Sequence, residues 1–211
     1  MIRYIAITMA ACACTTATAQ VAEVRVGIGE FAQGIVDLGT QSDSGAERSL
    51  ALQGEVVFDE PEFLRWALSP QPYINATLNL EGETNFLGAG LLWRQSLGEK
   101  TYADFAAGGS IHDGSLDIDV DDFVDADGFD FIGFFDERRE RREYGTRALF
   151  RLQGTLGYRF TEEWAAELFF EHVSNGSGTL YDRDFETFGE LLRSRDNDAA
   201  DTLGVRASRR F

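Results

Sequence analysis

Stretches in which apolar and polar side chains alternate recur along nearly the whole chain, and this alternation constrains the fold more than any other feature. From Tyr144 to Phe160 the even-numbered positions are mostly apolar, whereas the odd-numbered positions include Arg147, Arg151 and Arg159. Side chains of a β-strand point alternately to its two faces, so the pattern predicts strands with one apolar and one polar face. Eight strands are predicted, at about residues 24–32, 47–58, 63–77, 84–97, 101–112, 144–160, 163–174 and 201–211.

The connections between these strands favour a closed membrane barrel over a water-soluble sandwich. The links after strands two, four and six are short, at about 59–62, 98–100 and 161–162. The links after strands one, five and seven are long, at about 33–46, 113–143 and 175–200. Short periplasmic turns and long extracellular loops are typical of bacterial outer-membrane barrels. We therefore predict an all-β fold, an eight-stranded antiparallel transmembrane β-barrel of the bacterial outer membrane.

Aromatic and charged residues fit the same architecture. Three tryptophans lie within about five residues of a predicted turn, where an aromatic girdle meets the lipid boundary: Trp66, Trp93 and Trp164. The polar faces of strands six and seven carry opposite charges, and we expect them to pair in the lumen: Arg147, Arg151 and Arg159 with Glu163, Glu167 and Glu171. Eight strands enclose side chains but no aqueous channel, which argues against a porin. The terminal Phe211 resembles the recognition signal of bacterial outer-membrane barrels.

The N-terminal 19 residues are predicted to be a secretory signal peptide, which leaves residues 20–211 for the barrel. Arg3 provides the positive end, residues 5–13 the apolar run, and residues 17–19 a small-x-small cleavage site. Both cysteines, Cys12 and Cys14, fall in this segment, so no disulfide is expected in the barrel. The net charge of −17 argues against a nucleic-acid partner, since phosphates require a basic surface.

Charge is also concentrated in the long link after strand five. The acidic stretch 115–130 does not fit an EF-hand loop, because Asp122 stands where that loop requires glycine. A solvated, self-repelling loop and a divalent-cation site are both open interpretations of it. The basic cluster 137–143 follows directly, and its arginines could supply a local basic patch.

Strand seven carries the candidate chemistry. His172 and Ser174 share a face with Phe170 and the other apolar side chains, near the end of the strand that the predicted topology places outside the cell. Asp201 has the same parity as the apolar residues of strand eight, so it can lie beside His172 on the outer wall. A serine activated by a histidine that a carboxylate orients is the arrangement for acyl transfer. A polar fringe at the end of a strand is the alternative interpretation.

Two asparagines could assist this chemistry. The side-chain amides of Asn175 and Asn197 could donate hydrogen bonds to a developing oxyanion.

The motif His172-Val173-Ser174-Asn175 resembles the His-x-Ser-Asn motif of the lipid A 3-O-deacylase (PagL-like, acyloxyacyl hydrolase) family. That family has an asparagine followed four residues later by a glutamate near the last strand. Asn197 and Asp201 have this spacing, with aspartate in place of glutamate. The segment 108–114 also resembles a family segment.

This resemblance implies hydrolysis of an ester-linked acyl chain of lipid A, without a metal or cofactor. The substrate would be lipopolysaccharide in the outer leaflet, and the protein a membrane-embedded monomer or homodimer. Ser174 would be the nucleophile, His172 the base and Asp201 the orienting acid, with Asn197 or the backbone at Ser174 or Asn175 stabilising the oxyanion.

Several alternatives remain open at the level of sequence. The gap between Asn175 and Asn197 is longer than the family pattern leads us to expect, and Glu186 within it is the competing acid. His112 shares a parity with Tyr102 and is expected to face the lumen in a structural role. A non-enzymatic barrel, structural or adhesive, and an acyl hydrolase acting on phospholipid are the competing functions.

Overall fold

The computed structural model describes residues 20–32, 49–82, 84–116, 123–125, 128–133, 144–175 and 200–211. The predicted signal peptide (1–19) and the basic cluster (137–143) lie outside the described residues, as does half of the acidic stretch 115–130. Glu186 and Asn197 also lie outside them. No helix among the described residues is long and apolar enough to cross a membrane.

Eight long strands form a closed antiparallel barrel in which every strand pairs with its sequence neighbour and the first pairs with the last. This confirms the predicted fold. The barrel strands are β1 Val21–Ala32, β2 Ser49–Phe58, β3 Gln71–Asn79, β4 Phe86–Ser96, β5 Thr101–His112, β8 Ala148–Arg159, β9 Trp164–Ser174 and β10 Ala200–Arg210. Two short strands, β6 Val124–Asp125 and β7 Gly128–Phe129, pair with each other within the long link after β5.

The barrel has two different ends. One end contains the connections 97–100 and 160–163, the start of β1 and the end of β10, and we call it the turn rim. We call the opposite end, where β5 and β9 finish and β10 begins, the loop rim. The connection between β2 and β3 lies at the turn rim and includes a 3-10 helix, Glu62–Ala67.

The predicted start of the third strand, at residue 63, is wrong. The segment begins with the 3-10 helix, and β3 starts only at Gln71. Leu68 and Ser69 adopt positive φ angles of 66° and 52°, a left-handed conformation that cannot continue an extended strand. The apolar residues of this segment are therefore exposed at the turn rim, and Trp66 is 84% exposed.

Alternation along the strands separates an apolar outer wall from a polar lumen. In β2, Ser49, Gln53 and Glu55 are buried, while Leu50 and Leu52 are exposed. The same pattern on the other strands gives the outer wall a continuous set of exposed apolar side chains, including Val26, Ile28, Ile74, Leu78, Leu87, Phe105, Ile111, Phe150, Leu152, Leu156, Leu168, Leu203 and Val205. An apolar band facing outward around a polar interior is the arrangement that a bilayer requires.

Charged residues in the lumen pair with one another. Arg25, fully buried, contacts Glu23, Glu55 and Asp104 at 2.6–2.9 Å. Further around the barrel, Arg206 contacts Glu167. Each buried charge needs such partners, because an isolated ion in a low-dielectric interior is strongly unfavourable.

The lumen pairing predicted from strands six and seven is confirmed for one pair. Arg151 Nη2 lies 2.7 Å from Glu171 Oε2. Arg147 instead donates to the backbone carbonyl of Gly114, at 2.6 Å, because it precedes the strand. Glu163 is likewise outside the lumen: it lies in the turn before β9 and is 3.5 Å from Arg209, with both side chains about half exposed.

An apolar cluster fills the lumen at the loop rim. Its members are Phe31, Ala51, Phe86, Tyr144, Leu149, Val173 and Ala200. The prediction that Tyr144 faces the outer wall is wrong, since its side chain is completely buried. Gly145 has a φ of 71° and β8 begins only at Ala148, so the alternation of side chains between the two faces of β8 does not extend back to residue 144.

Candidate active site

The outer face of β9 presents His172 and Ser174 near the loop rim. Burial alternates along this strand, with Glu171 and Val173 turned into the barrel and their neighbours turned outward. His172 is paired with Asp201 of β10 on one side and with Leu152 of β8 on the other. The three polar side chains therefore belong to two adjacent strands of the outer wall.

A hydrogen bond joins the imidazole to the carboxylate. His172 Nδ1 lies 2.7 Å from Asp201 Oδ1. The side chain of His172 is 20% exposed, whereas that of Asp201 is only 2% exposed although it projects from the outer wall. A carboxylate beside Nδ1 favours the tautomer with its proton on that nitrogen, which leaves Nε2 as the basic atom.

Ser174 is the last residue of β9. Its β8 partner is Phe150, whereas among the described residues the pairing between β9 and β10 extends only to Val173. Alternate residues of a strand are about 7 Å apart at Cα, so Ser174 and His172 are neighbours on one face.

Apolar side chains surround this group. On β8, Phe150 pairs with Ser174 and Leu152 pairs with His172, and on β10 Leu203 lies two residues after Asp201. These three side chains are 59%, 46% and 41% exposed. An apolar wall of this kind strengthens electrostatic interactions between the few polar groups within it. The arrangement can activate a hydroxyl toward a lipid that contacts the outer wall.

The other sequence candidates have different locations. The side-chain amide of Asn175 donates to the carbonyl oxygen of Tyr144, at 3.0 Å. His112 is buried on the lumen side, as predicted, and its Nε2 lies 2.7 Å from the carbonyl oxygen of Thr146. Within the described part of the chain, no group of three or more His, Cys, Asp or Glu residues is arranged to hold a metal ion.

A pair of hydrogen bonds that was not predicted from the sequence fixes the end of β5. Asn85 donates its backbone N–H and its side-chain amide to the two carboxylate oxygens of Asp113, at 2.7 and 2.8 Å. Slight burial acts to raise the pKa of Asp113, but these hydrogen bonds hold that pKa below its usual value. The sequence signal for this contact is an asparagine just before β4 and an aspartate just after β5. The two residues meet at the open end of the hairpin that these strands form.

Comparison with solved structures supports the fold. The barrel matches the "Crystal structure of the outer membrane enzyme PagL" with a TM-score of 0.51 and 10% sequence identity, and the match covers 90% of this chain and 100% of that one. It matches the "Crystal structure of Neisserial surface protein A (NspA)" with a TM-score of 0.50 and 10% identity, over 90% of this chain and 96% of that one. No curated protein matches the sequence.

The family comparison goes further than the fold. Residues 46–182 match the model of the family described as "Lipid A 3-O-deacylase (PagL)". The matched segment is more than half of the chain and includes His172, Ser174 and Asn175, whereas Asp201 lies beyond it. The chain therefore belongs to the lipid A 3-O-deacylase (PagL) family.

Proposed function

We propose that this barrel removes an ester-linked acyl chain from lipid A, with Ser174 as nucleophile, His172 as general base and Asp201 as the acid that orients the imidazole. Family membership and the bacterial outer-membrane barrel support the reaction. The observation that carries the residue roles is the 2.7 Å hydrogen bond between His172 and Asp201, on the same outer face as Ser174.

The chemistry follows from the two nitrogens of the imidazole. Nδ1–H donates to Asp201, so Nε2 takes the proton of the Ser174 hydroxyl as its oxygen attacks the ester carbonyl. The tetrahedral intermediate collapses when the bond to the sugar oxygen breaks, and the imidazolium returns its proton to that oxygen. A water molecule, deprotonated by Nε2 in turn, then attacks the acyl-serine carbonyl. The bond to the Ser174 oxygen breaks, the imidazolium returns its proton to that oxygen, and the fatty acid is released.

The oxyanion needs a donor besides the triad. Asn197 is the side-chain candidate for this role, together with the backbone N–H of Ser174 or Asn175. A donor of this kind contributes roughly 3–4 kcal/mol of transition-state stabilisation.

Access to the substrate follows from the outward orientation of the group. The lipid already contacts the outer wall, so its ester can reach Ser174 without a passage through the barrel. With the loop rim facing the outside of the cell, the group lies on the side of the outer leaflet, where lipopolysaccharide resides. One chain supplies His172, Ser174 and Asp201, so either a monomer or a homodimer can be active.

Mass spectrometry of lipid A after incubation with the refolded barrel tests this function. The wild type should release one hydroxyacyl chain, and Ser174→Ala should release none while retaining a folded barrel. Ser96→Ala, at an exposed position of the turn rim, is the matched control and should behave as the wild type. Unchanged lipid A with the wild type would support a non-enzymatic barrel, and loss of acyl chains from phospholipid alone would support a phospholipid hydrolase.

The choice of acid requires a second pair of variants. Asp201→Asn should reduce hydrolysis by about 10⁴-fold, because the imidazole loses the partner that fixes its tautomer. Glu186→Gln should leave hydrolysis nearly unchanged. The reverse result would assign the orienting role to Glu186.

A further inference from the structure

The segment Tyr144–Arg147, just before β8, is held on two sides by side chains that have no step in the proposed reaction. Asn175 donates to the carbonyl oxygen of Tyr144 from the end of β9. His112 contacts the same segment from the lumen. Asn175 directly follows Ser174 in sequence, so the segment is linked to the nucleophile by one residue.

The end of β9 needs such a link. The last residue pair between β8 and β9 is Phe150 with Ser174, and the pairing with β10 ends one residue earlier, at Val173. Among the described residues, Ser174 has a ladder partner on β8 and none on β10. The Asn175–Tyr144 hydrogen bond is a contact that fixes the backbone directly after Ser174.

The segment itself is fixed from the lumen. The Tyr144 ring is completely buried, with its centroid 4.4 Å from that of His112 and 5.7 Å from that of Phe86. His112 Nε2 lies 2.7 Å from the carbonyl oxygen of Thr146. The imidazole therefore contacts the segment twice, through its ring at Tyr144 and through Nε2 at Thr146.

Backbone and side-chain bonds from the residues after β5 complete this support. Tyr144 and Gly145 donate their N–H groups to the carbonyl oxygens of Ser115 and Leu116, at 3.2 and 3.0 Å. Arg147 donates to the carbonyl oxygen of Gly114, at 2.6 Å. The segment is thus a rigid bridge between β5 and the end of β9.

We propose that Asn175 and His112 are positioning residues for Ser174 that act together through the segment Tyr144–Arg147. This inference rests on the proposed function of Ser174. The side-chain amide of Asn175 donates to the carbonyl oxygen of Tyr144, and we assign it the role of holding the backbone next to the nucleophile. His112, on the opposite side of the wall, has the same role without contact to the substrate.

A double-mutant cycle tests this proposal. Asn175→Asp keeps the shape of the side chain but replaces its donor nitrogen with an acceptor oxygen, and Asn175→Leu removes the donor without adding a charge. His112→Phe keeps an aromatic ring and removes the bond to Thr146. Ser110→Ala is the control, since Ser110 is buried on the same face of β5 two residues before His112 and its hydroxyl has no hydrogen-bond partner among the described residues.

The readouts are the rate of Ser174 labelling by a fluorophosphonate, kcat and KM for lipid A hydrolysis, and the backbone amide resonance of Ser174 in micelles. Each single variant should lower the labelling rate and kcat roughly tenfold to hundredfold with little change in KM, because a small misplacement of a nucleophile has an effect of that order. The labelling rate and kcat of the double variant should be no lower than those of the slower single variant. The Ser174 resonance should move in each variant.

Two results would overturn the proposal. Effects that multiply in the double variant would mean that the two residues act independently. A loss of rate in the Asn175 variants with an unmoved Ser174 resonance would mean that Asn175 donates to the oxyanion directly. The proposed function is tested separately, since hydrolysis that persists in Ser174→Ala removes it whatever the cycle shows.

Discussion

The lumen and the outer wall of this barrel both contain carboxylates next to basic side chains, but in different settings. In the lumen, Arg25 lies within 2.6–3.6 Å of four carboxylates and is completely buried among other polar groups. On the outer wall, His172 and Asp201 form a hydrogen-bonded pair in a field of apolar side chains. Inside the barrel the charges satisfy one another and hold the strands together. Outside, the proposed role of the pair is chemical, namely to orient a ring nitrogen toward the lipid.

This contrast predicts that the outer pair can be removed with a large loss of activity and little loss of stability. His172→Phe should lower kcat by at least about 10⁴-fold, since a triad without its base retains only residual catalysis. The free energy of unfolding should change less than after a substitution in the lumen network, because the new ring suits an apolar wall and a single carboxylate, Asp201, loses a partner. Lipid A hydrolysis and urea unfolding in micelles measure the two quantities. A folded variant with substantial hydrolysis would contradict the assignment of His172.

The lumen should show the opposite behaviour. Arg25→Met leaves Glu23, Glu55 and Asp104 without their shared partner and should reduce the free energy of unfolding by roughly 3–5 kcal/mol. Urea unfolding followed by tryptophan fluorescence provides the measurement. Where the variant still folds, its kcat should stay close to that of the wild type. A stable variant with lost activity would link the lumen network to the site.

A charge placed on the apolar part of the outer wall sharpens the comparison. Leu156 faces outward on β8 and is 57% exposed. Leu156→Arg should reduce the free energy of unfolding in lipid vesicles by up to about 2–4 kcal/mol, which is the cost of arginine at the midplane of a bilayer and falls toward the interfaces. The same variant in detergent should be less affected. Equal stability in vesicles would mean that this face does not contact the hydrocarbon core.

The smallest effect is expected at the turn rim. Arg65 forms an exposed ion pair with Glu62, at 3.2 Å. Arg65→Met should change the free energy of unfolding by less than about 1 kcal/mol, because exposed pairs are screened by water. This variant is the control for Arg25→Met, and a loss as large as that of the lumen variant would remove the distinction between the two settings.

The sequence predicted the parts of the fold that depend on local alternation. The eight strands, their two faces and the outward positions of His172 and Ser174 follow from a period of two, which any half-buried strand must keep. The errors occur where the backbone departs from an extended conformation. Leu68 and Ser69 have left-handed φ angles before β3, and Gly145 interrupts the parity that placed Tyr144 outside.

The candidate site was harder to predict than the wall that carries it. The parity of Asp201 placed it on the outer face, but its alignment with His172 depends on the register between β9 and β10, which the long link 175–199 does not reveal. The hydrogen bond from Asn175 to Tyr144 joins residues 31 positions apart, and the sequence shows no periodicity that connects them. Such contacts arise only when the closed barrel brings β5, β8 and β9 together.

The account depends most directly on Ser174 being a nucleophile that faces the lipid. Peptide mapping by mass spectrometry, after a lipid-tailed fluorophosphonate reacts with the barrel in vesicles, tests that claim in one measurement. We predict a single adduct, on Ser174, that forms much more slowly in Asp201→Asn. An adduct on another serine, or a wild-type barrel that stays unlabelled while it hydrolyses lipid A, would contradict the account.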